Sequence, residues 1–190
     1  MVAVVILAAG QSKRMNGTDK LFLDVNSMPM FEHSFILAKK LDIACCIVVT
    51  NNAKITDKAK EYNFLSVKSP NAQKGMGFSV AEGVKALSDK ITHAVFLNAD
   101  QPFISVDTIN KLIEKAQKTD KIIVPMANNR PTSPCVFPKR YFAELSTLHG
   151  ENGGRIVWQR NIDDVLFENV MQNQMIDIDT AEIYNALTNN

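Results

Sequence analysis

Continuous apolar runs recur along the chain at Val2 to Leu7, Ala44 to Thr50, His93 to Leu97 and Ile122 to Pro125. Each is bounded by turn residues, lacks polar alternation and is rich in β-branched side chains, the pattern of strands buried on both faces. Between them the apolar spacing turns helical. Met30 to Leu41 sets Phe31, Phe35, Ile36 and Leu41 near one face, Ile55 to Tyr62 makes a weaker polar helix, and Phe78 to Leu87 carries Val80, Val84 and Leu87. Val106 to Lys118 is the clearest helix: Ser105 can cap its start, Ile109, Leu112, Ile113 and Ala116 share a stripe, and Lys115 and Lys118 lie in its last turn. Strand and helix thus alternate as far as residue 120, which predicts the α/β class, with parallel βαβ units and helices on both faces of the sheet.

The second half is less regular. Pro131, Pro134 and Pro138 punctuate a short strand at Cys135 to Phe137, and helices are expected near Tyr141 to Leu148 and Gly154 to Arg160. Strands at Val165 to Phe167 and Met175 to Ile178 and a helix at Ala181 to Leu187 complete the reading. No internal repeat, low-complexity tract or long linker divides the chain, so residues 1–190 are expected to form one domain. Long connections in α/β proteins gather at the carboxyl ends of strands, so the segment from Asn128 to Gln159 is expected to wall a site.

Composition narrows the function more than the fold. A chain of 190 residues, 46% of them hydrophobic, can bury a sizeable core without disulfides or metals. Its 21 basic and 20 acidic residues leave a net charge of +1, so neither nucleic acid nor a membrane surface is an expected partner, and an anionic ligand must be held by a local site. Cys45 and Cys46 are adjacent and Cys135 is distant, which reads as reduced thiols of a cytosolic protein. The apolar start lacks a basic lead and is too short to span a bilayer, so a cytoplasmic location is expected.

The first apolar run leads directly into Leu7-Ala8-Ala9-Gly10-Gln11-Ser12-Lys13-Arg14-Met15, with Asp19 and Lys20 shortly after. Residues with almost no side chain let a ligand approach backbone N–H groups, and Arg14 and Lys20 can neutralise its phosphates. The loop is neither a Walker loop, since no Gly-Lys-Ser/Thr closes it, nor a dinucleotide fingerprint, since Gly10 has no glycine partner at position 12. Asp100 follows the His93 to Leu97 run, where a lone carboxylate suits Mg²⁺, although it could equally cap a turn before Pro102. Asp177 and Asp179 lie two apart on an expected strand and so share a face, while Asp179 with Glu182 also makes a capping-box-like start for the last helix. His33, His93 and His149 form no metal-ligand spacing. Met126 and Trp158 read as core or pocket lining.

The small residues, Arg-Met and Asp-Lys-Leu of the first loop, together with Asp100-Gln101-Pro102, resemble the signature of nucleotidyltransferases that accept a nucleoside triphosphate. The likeness is to the molybdenum cofactor cytidylyltransferase and guanylyltransferase family, and it runs from Val4 to Leu187. It implies a GT-A-like, three-layer α/β/α sandwich with a mostly parallel, Rossmann-like central sheet of the nucleotide-diphospho-sugar transferase type. It assigns Leu7, Ala8, Ala9 and Gly10 to the nucleoside, and Ser12, Arg14 and Lys20 to the triphosphate. Asp100 becomes the Mg²⁺ ligand with Asp179 as the second, and Arg14, Lys20 and Asp100 form the catalytic set. Residues 69–80 resemble the segment that reads the base, which brings in Gly75, Met76 and Ser79.

Ala-Ala-Gly in the first loop resembles the cytidylyl branch more than the guanylyl branch, so CTP is favoured over GTP. Gly150-Glu151-Asn152-Gly153-Gly154-Arg155 resembles the family's Gly-Asp-x-Gly-x-Arg turn, and the acceptor is expected to meet Gln101, Ser133, Arg155 and Asp177. Where cytidylyl members show Gly-His-Pro, this chain has Thr132-Ser133-Pro134. The implied activity moves a nucleoside monophosphate onto the phosphate of a molybdopterin-type acceptor with Mg²⁺, and a molybdoenzyme or its chaperone would receive the product. A phosphate monoester is already ionised near pH 7, so this attack needs positioning and charge stabilisation rather than a base. The departure at 132–134 leaves open a sugar-, alditol- or methylerythritol-phosphate acceptor, and a non-catalytic nucleotide-binding partner is the other alternative.

Overall fold

The computed structural model describes residues 1–10 and 19–188. β1 (Val2–Leu7) lies between β4 (Cys45–Val49) and β6 (His93–Asn98), parallel to both, and β5 (Leu65–Val67) continues the sheet beyond β4. On the other side β9 (Cys135–Pro138) is inserted antiparallel between β6 and β7 (Ile122–Ala127). β10 (Val165–Asn169) runs parallel to β7, and β8 (Arg130–Pro131) folds back on it, which completes an eight-stranded, mostly parallel sheet. A separate two-stranded ribbon joins β2 (Asp24–Val25) and β3 (Met28–Pro29) across Asn26 and Ser27, both at positive φ.

Strand periodicity divides the interior into two cores. Val4, Ile6, Val48, Val95 and Leu97 face the layer made by α1 (Met30–Lys39), α2 (Ala53–Glu61) and α4 (Val106–Thr119). Their neighbours Val5, Val49, Ala94 and Phe96 face α3 (Met76–Lys85), α5 (Phe142–Leu145) and α6 (Arg155–Arg160). The central strands are therefore apolar at nearly every position, which is why they carry no alternation. α4 starts where expected and ends one residue later: Ser105 Oγ accepts from the Thr108 N–H at 3.2 Å, and Asp120, left-handed at φ 52°, ends it by donating its backbone N–H to Ala116 O at 2.8 Å.

The irregular second half departs from the pattern reading. Met175 to Ile178 is not a strand. Met175 and Ile178 are the buried pair, and the Ile178 N–H donates to Asp100 O at 3.1 Å instead of to a ladder partner. The helix expected over Tyr141 to Leu148 is reduced to a 3₁₀ turn at Lys139–Tyr141 and the single turn of α5. α7 (Ala181–Thr188) starts with Thr180 Oγ1 accepting from the Ile183 N–H, so Thr180 is a capping side chain. Among the described residues no helix is long and apolar enough to cross a membrane.

Candidate active site

Because Leu7 is in register with Asn98, the loops that leave β1 and β6 emerge side by side. Lys20 opens a 3₁₀ turn fixed by Asp19, whose Oδ1 accepts from the Leu21 N–H. From there the Lys20 ammonium donates to Asp100 Oδ2 and to Asp179 Oδ1, each at 2.6 Å. Burial works against the charge on Lys20, yet the adjoining Asp100 and Asp179 outweigh it and raise its pKa. Asp177, exposed on its outer side, has its carboxyl pushed up to about 7, by burial first and then by the negative Asp100 and Asp179. The cluster is thus short of positive charge. Asp100 Oδ1 is buried and, among the described residues, accepts no hydrogen bond. An oxygen held dry and unpartnered beside a second carboxylate suits a hard divalent cation that draws its other ligands from phosphate and water. Among the described residues no trio of His, Cys, Asp or Glu forms a ready metal cage.

Two cavities meet beside this cluster. The larger, about 510 Å³, has Lys20, Asp100 and Asp179 in its wall, Ala9 and Gly10 from the first loop, and Gly75, Met76 and Ser79 from the start of α3. The smaller, about 270 Å³, is walled by Phe96, Phe137, Trp158, Val80 and Cys135, with Ser133 and Arg155 among its polar groups. Leu7, Met76, Asn98 and Asp177 belong to both, so the two open into each other. The polar groups between them are fixed: Asn98 Nδ2 donates to Ser133 Oγ at 2.9 Å, and Gln101 Nε2 to Ser133 O at 3.3 Å. Burial pushes the Cys135 thiol up to about 12, so it is a wall atom and not a nucleophile at neutral pH.

Most expected positions come together, with two exceptions, and two others lie outside the described residues. Ala8 is buried and its N–H is spent on Val49 O at 2.8 Å, so it supports the loop from beneath and lines neither cavity. Gln101 is 2% exposed and stands behind the wall, bracing Ser133 and Asp177 instead of facing the space. Asp177 and Asp179 do not share a strand face, since their segment is irregular, although both line the polar cavity. Ser12 and Arg14 lie outside the described residues. Asn98, Gln73 and Glu151 line the polar cavity without having been expected. Asn98 could have been found as the last residue of a buried strand, but the arrival of Glu151 depends on contacts between distant loops.

Residues 4–165 match the model of the MobA-like NTP transferase domain. Over 96% of its length the chain is 30% identical to the purine catabolism protein PucB of Bacillus subtilis, covering 94% of that protein. It is 33% identical to a 2-C-methyl-D-erythritol 4-phosphate cytidylyltransferase of Bacillus licheniformis, over 64% of this chain and 54% of that one. The crystal structure of Rv0371c from Mycobacterium tuberculosis superposes with a TM-score of 0.84 at 22% identity, covering 100% of this chain and 98% of that one. A complex of the same mycobacterial protein contains manganese. The small loop residues, the acidic cluster joined by a lysine and the match across both halves of the sheet lead to one family: the chain is a nucleotidyltransferase of the MobA-like NTP transferase family.

Proposed function

We propose that the protein transfers CMP from CTP to the phosphate of a molybdopterin-type acceptor and releases pyrophosphate. The observation that carries this reading is the junction of two unlike cavities at Leu7, Met76, Asn98 and Asp177. The polar cavity takes the nucleotide, its triphosphate beside Lys20, with Ser12 and Arg14 of the first loop as further phosphate contacts. The aromatic cavity takes the flat ring system of the acceptor. A sugar or alditol chain would lose water there and find few hydrogen bonds against Phe96, Phe137 and Trp158, which is costly for each unpaired hydroxyl.

Asp100 and Asp179 would hold Mg²⁺, an assignment supported by the unpartnered Asp100 Oδ1 and by the manganese in the complex of the mycobacterial relative. When bound, the ion supplies charge neutralisation on the phosphate oxygens. The residues of the chain then do the rest by position. Lys20 carries a permanent positive charge to the leaving pyrophosphate, Arg155 draws the acceptor phosphate into the mouth of the aromatic cavity, and Ser133 and Asp177 border its path to the α-phosphorus. The attacking oxygen is already an anion, so no side chain has to remove a proton.

The test is pyrophosphate release from CTP or GTP with Mg²⁺, comparing molybdopterin, methylerythritol phosphate and a sugar 1-phosphate as acceptors. Release with CTP and molybdopterin, falling by several orders of magnitude in Asp100→Ala, is the expected result. Turnover with a polyol phosphate and none with molybdopterin would overturn the acceptor assignment.

A further inference from the structure

Glu151 stands apart from the acidic cluster around Lys20. It follows Gly150 in the turn that precedes α6 and reaches the polar cavity on the side built by Ala72, Gln73, Gly75 and Ser79. Backbone packing holds it there. The Gly77 N–H donates to Gly150 O at 2.9 Å, and a Cβ on Gly75 would come within 2.1 Å of the Gly150 carbonyl and 2.4 Å of Glu151 N. Gly75 at φ 133° and Gly150 at φ 75° permit this approach between segments some distance apart in the chain. Glu151 is exposed, and among the described residues its carboxylate has neither an ion-pair partner nor a hydrogen bond.

An unpaired carboxylate repels phosphate, so its place in a triphosphate cavity calls for another role. Beside a nucleobase the same group is a strong acceptor. Cytosine offers it an exocyclic N–H₂, whereas uracil presents a carbonyl oxygen at that position and would meet the carboxylate lone pair to lone pair. Gln73, on the same wall, adds an amide that can donate to a ring acceptor of the same base.

We propose that Glu151 is a specificity-determining residue whose carboxylate accepts a hydrogen bond from the exocyclic amine of the bound base and rejects uracil. The inference rests on the polar cavity being the nucleotide site. Selection by a repulsive group as well as an attractive one gives the larger discrimination between near-isosteric bases.

The test is calorimetric titration of the full chain with CTP and UTP in Mg²⁺, for wild type, Glu151→Ala, Glu151→Gln and Lys20→Met. Wild type is expected to bind CTP more tightly than UTP. Glu151→Ala should weaken CTP by roughly tenfold or more, the effect of losing a charge-assisted hydrogen bond, and leave UTP unchanged or tighter. Glu151→Gln, which keeps a neutral acceptor, should lie between, while Lys20→Met should weaken both nucleotides equally. Equal weakening of CTP and UTP by Glu151→Ala would overturn the proposal, because the carboxylate would then be acting on ribose or phosphate. Wild type binding both nucleotides equally would overturn it too. Binding of neither nucleotide would instead defeat the reading of the cavity on which it rests.

Discussion

Gly75→Ala is the substitution that most directly strains the contact between the polar-cavity loop and the turn before α6. The native φ of 133° with ψ of 162° is a conformation reserved for glycine, and forcing alanine into it costs about 1–3 kcal/mol. The added methyl would also lie 2.1 Å from Gly150 C and O, so the two backbones must part by more than an ångström, at a further cost of about 1–3 kcal/mol. Neither atom is the movable end of a side chain, so no rotamer change relieves the clash. At about 2–4 °C per kcal/mol for a chain of this length, the combined cost of about 2–6 kcal/mol should lower thermal unfolding by about 4 to 24 °C. Gly10→Ala is the internal control: among the described residues its added Cβ would have nothing within 4 Å, and its Tm should stay within about 2 °C of wild type. Calorimetric unfolding of the three proteins, followed by CTP titration, checks both the strain and its consequence, since displaced residues 150 and 151 should weaken CTP in Gly75→Ala. An unchanged Tm for Gly75→Ala, or an equal fall for Gly10→Ala, would refute the reasoning.

Three further outcomes follow from the charges at the site. The carboxyl of Asp177, raised to about 7 against about 3.9 in an unfolded chain, keeps a proton in the native state between those values. Stability should therefore fall as pH rises through that window and level off above it, and Asp177→Asn should exceed wild type in urea midpoint at pH 8 but not at pH 4. The pKa of Lys20 is raised above 10.5, so its stabilisation is complete at neutral pH and is lost as pH climbs through the higher native value; Lys20→Met should lack this alkaline decline when unfolding is followed from pH 9 to 12. Arg155→Ala should raise the acceptor KM by roughly 10- to 100-fold, the loss of one charge-assisted phosphate contact, with CTP affinity unchanged by titration.

Elements whose side chains face a uniform environment were legible in the sequence. β1 and β6 are apolar at nearly every position because helices cover both faces, and α4 announces itself through one stripe and a serine cap. Elements defined by their partners were not. β5 has three residues with Leu65 exposed, too little to make a pattern, and β8 is a two-residue return from a turn at Asn128 and Asn129. The Met175–Asp179 segment alternates like a strand yet buries residues three apart, because the Ile178 N–H is drawn to Asp100 O. For the site, Asp100 could be expected as a carboxylate just beyond a buried strand and Lys20 as a cation of the loop after β1, whereas Asp179 was legible as a metal ligand only through the family resemblance. Glu151 could not, because its place is set by the missing side chains of Gly75 and Gly77, against which the backbone of residues 149–151 packs.

The direction of β9 explains why the walls of the polar and aromatic cavities come from different parts of the chain. In a parallel sheet every strand sends its C-terminal loop toward the ligand, so β1 and β6 deliver Gly10 and Asp100. β9 runs the other way, and its first residue, Cys135, is paired with Phe96 near the carboxyl end of β6. It is therefore the segment before the strand, residues 131–134, that arrives at the site, where Ser133 is tied to Asn98 and Gln101. The other side of the aromatic cavity is Gly153 to Trp158, and a Cβ on Gly154 would approach the Phe137 ring to 3.1 Å, so the two segments pack together. The aromatic cavity, the proposed acceptor site, is thus built by one inserted antiparallel strand and the turn and helix behind it, against the β1–β6 pair. Changes within residues 131–137 and 153–158 can reshape what is accepted while Lys20, Asp100 and Asp179 keep their mutual geometry, which is the arrangement expected where one nucleotide chemistry serves different acceptors.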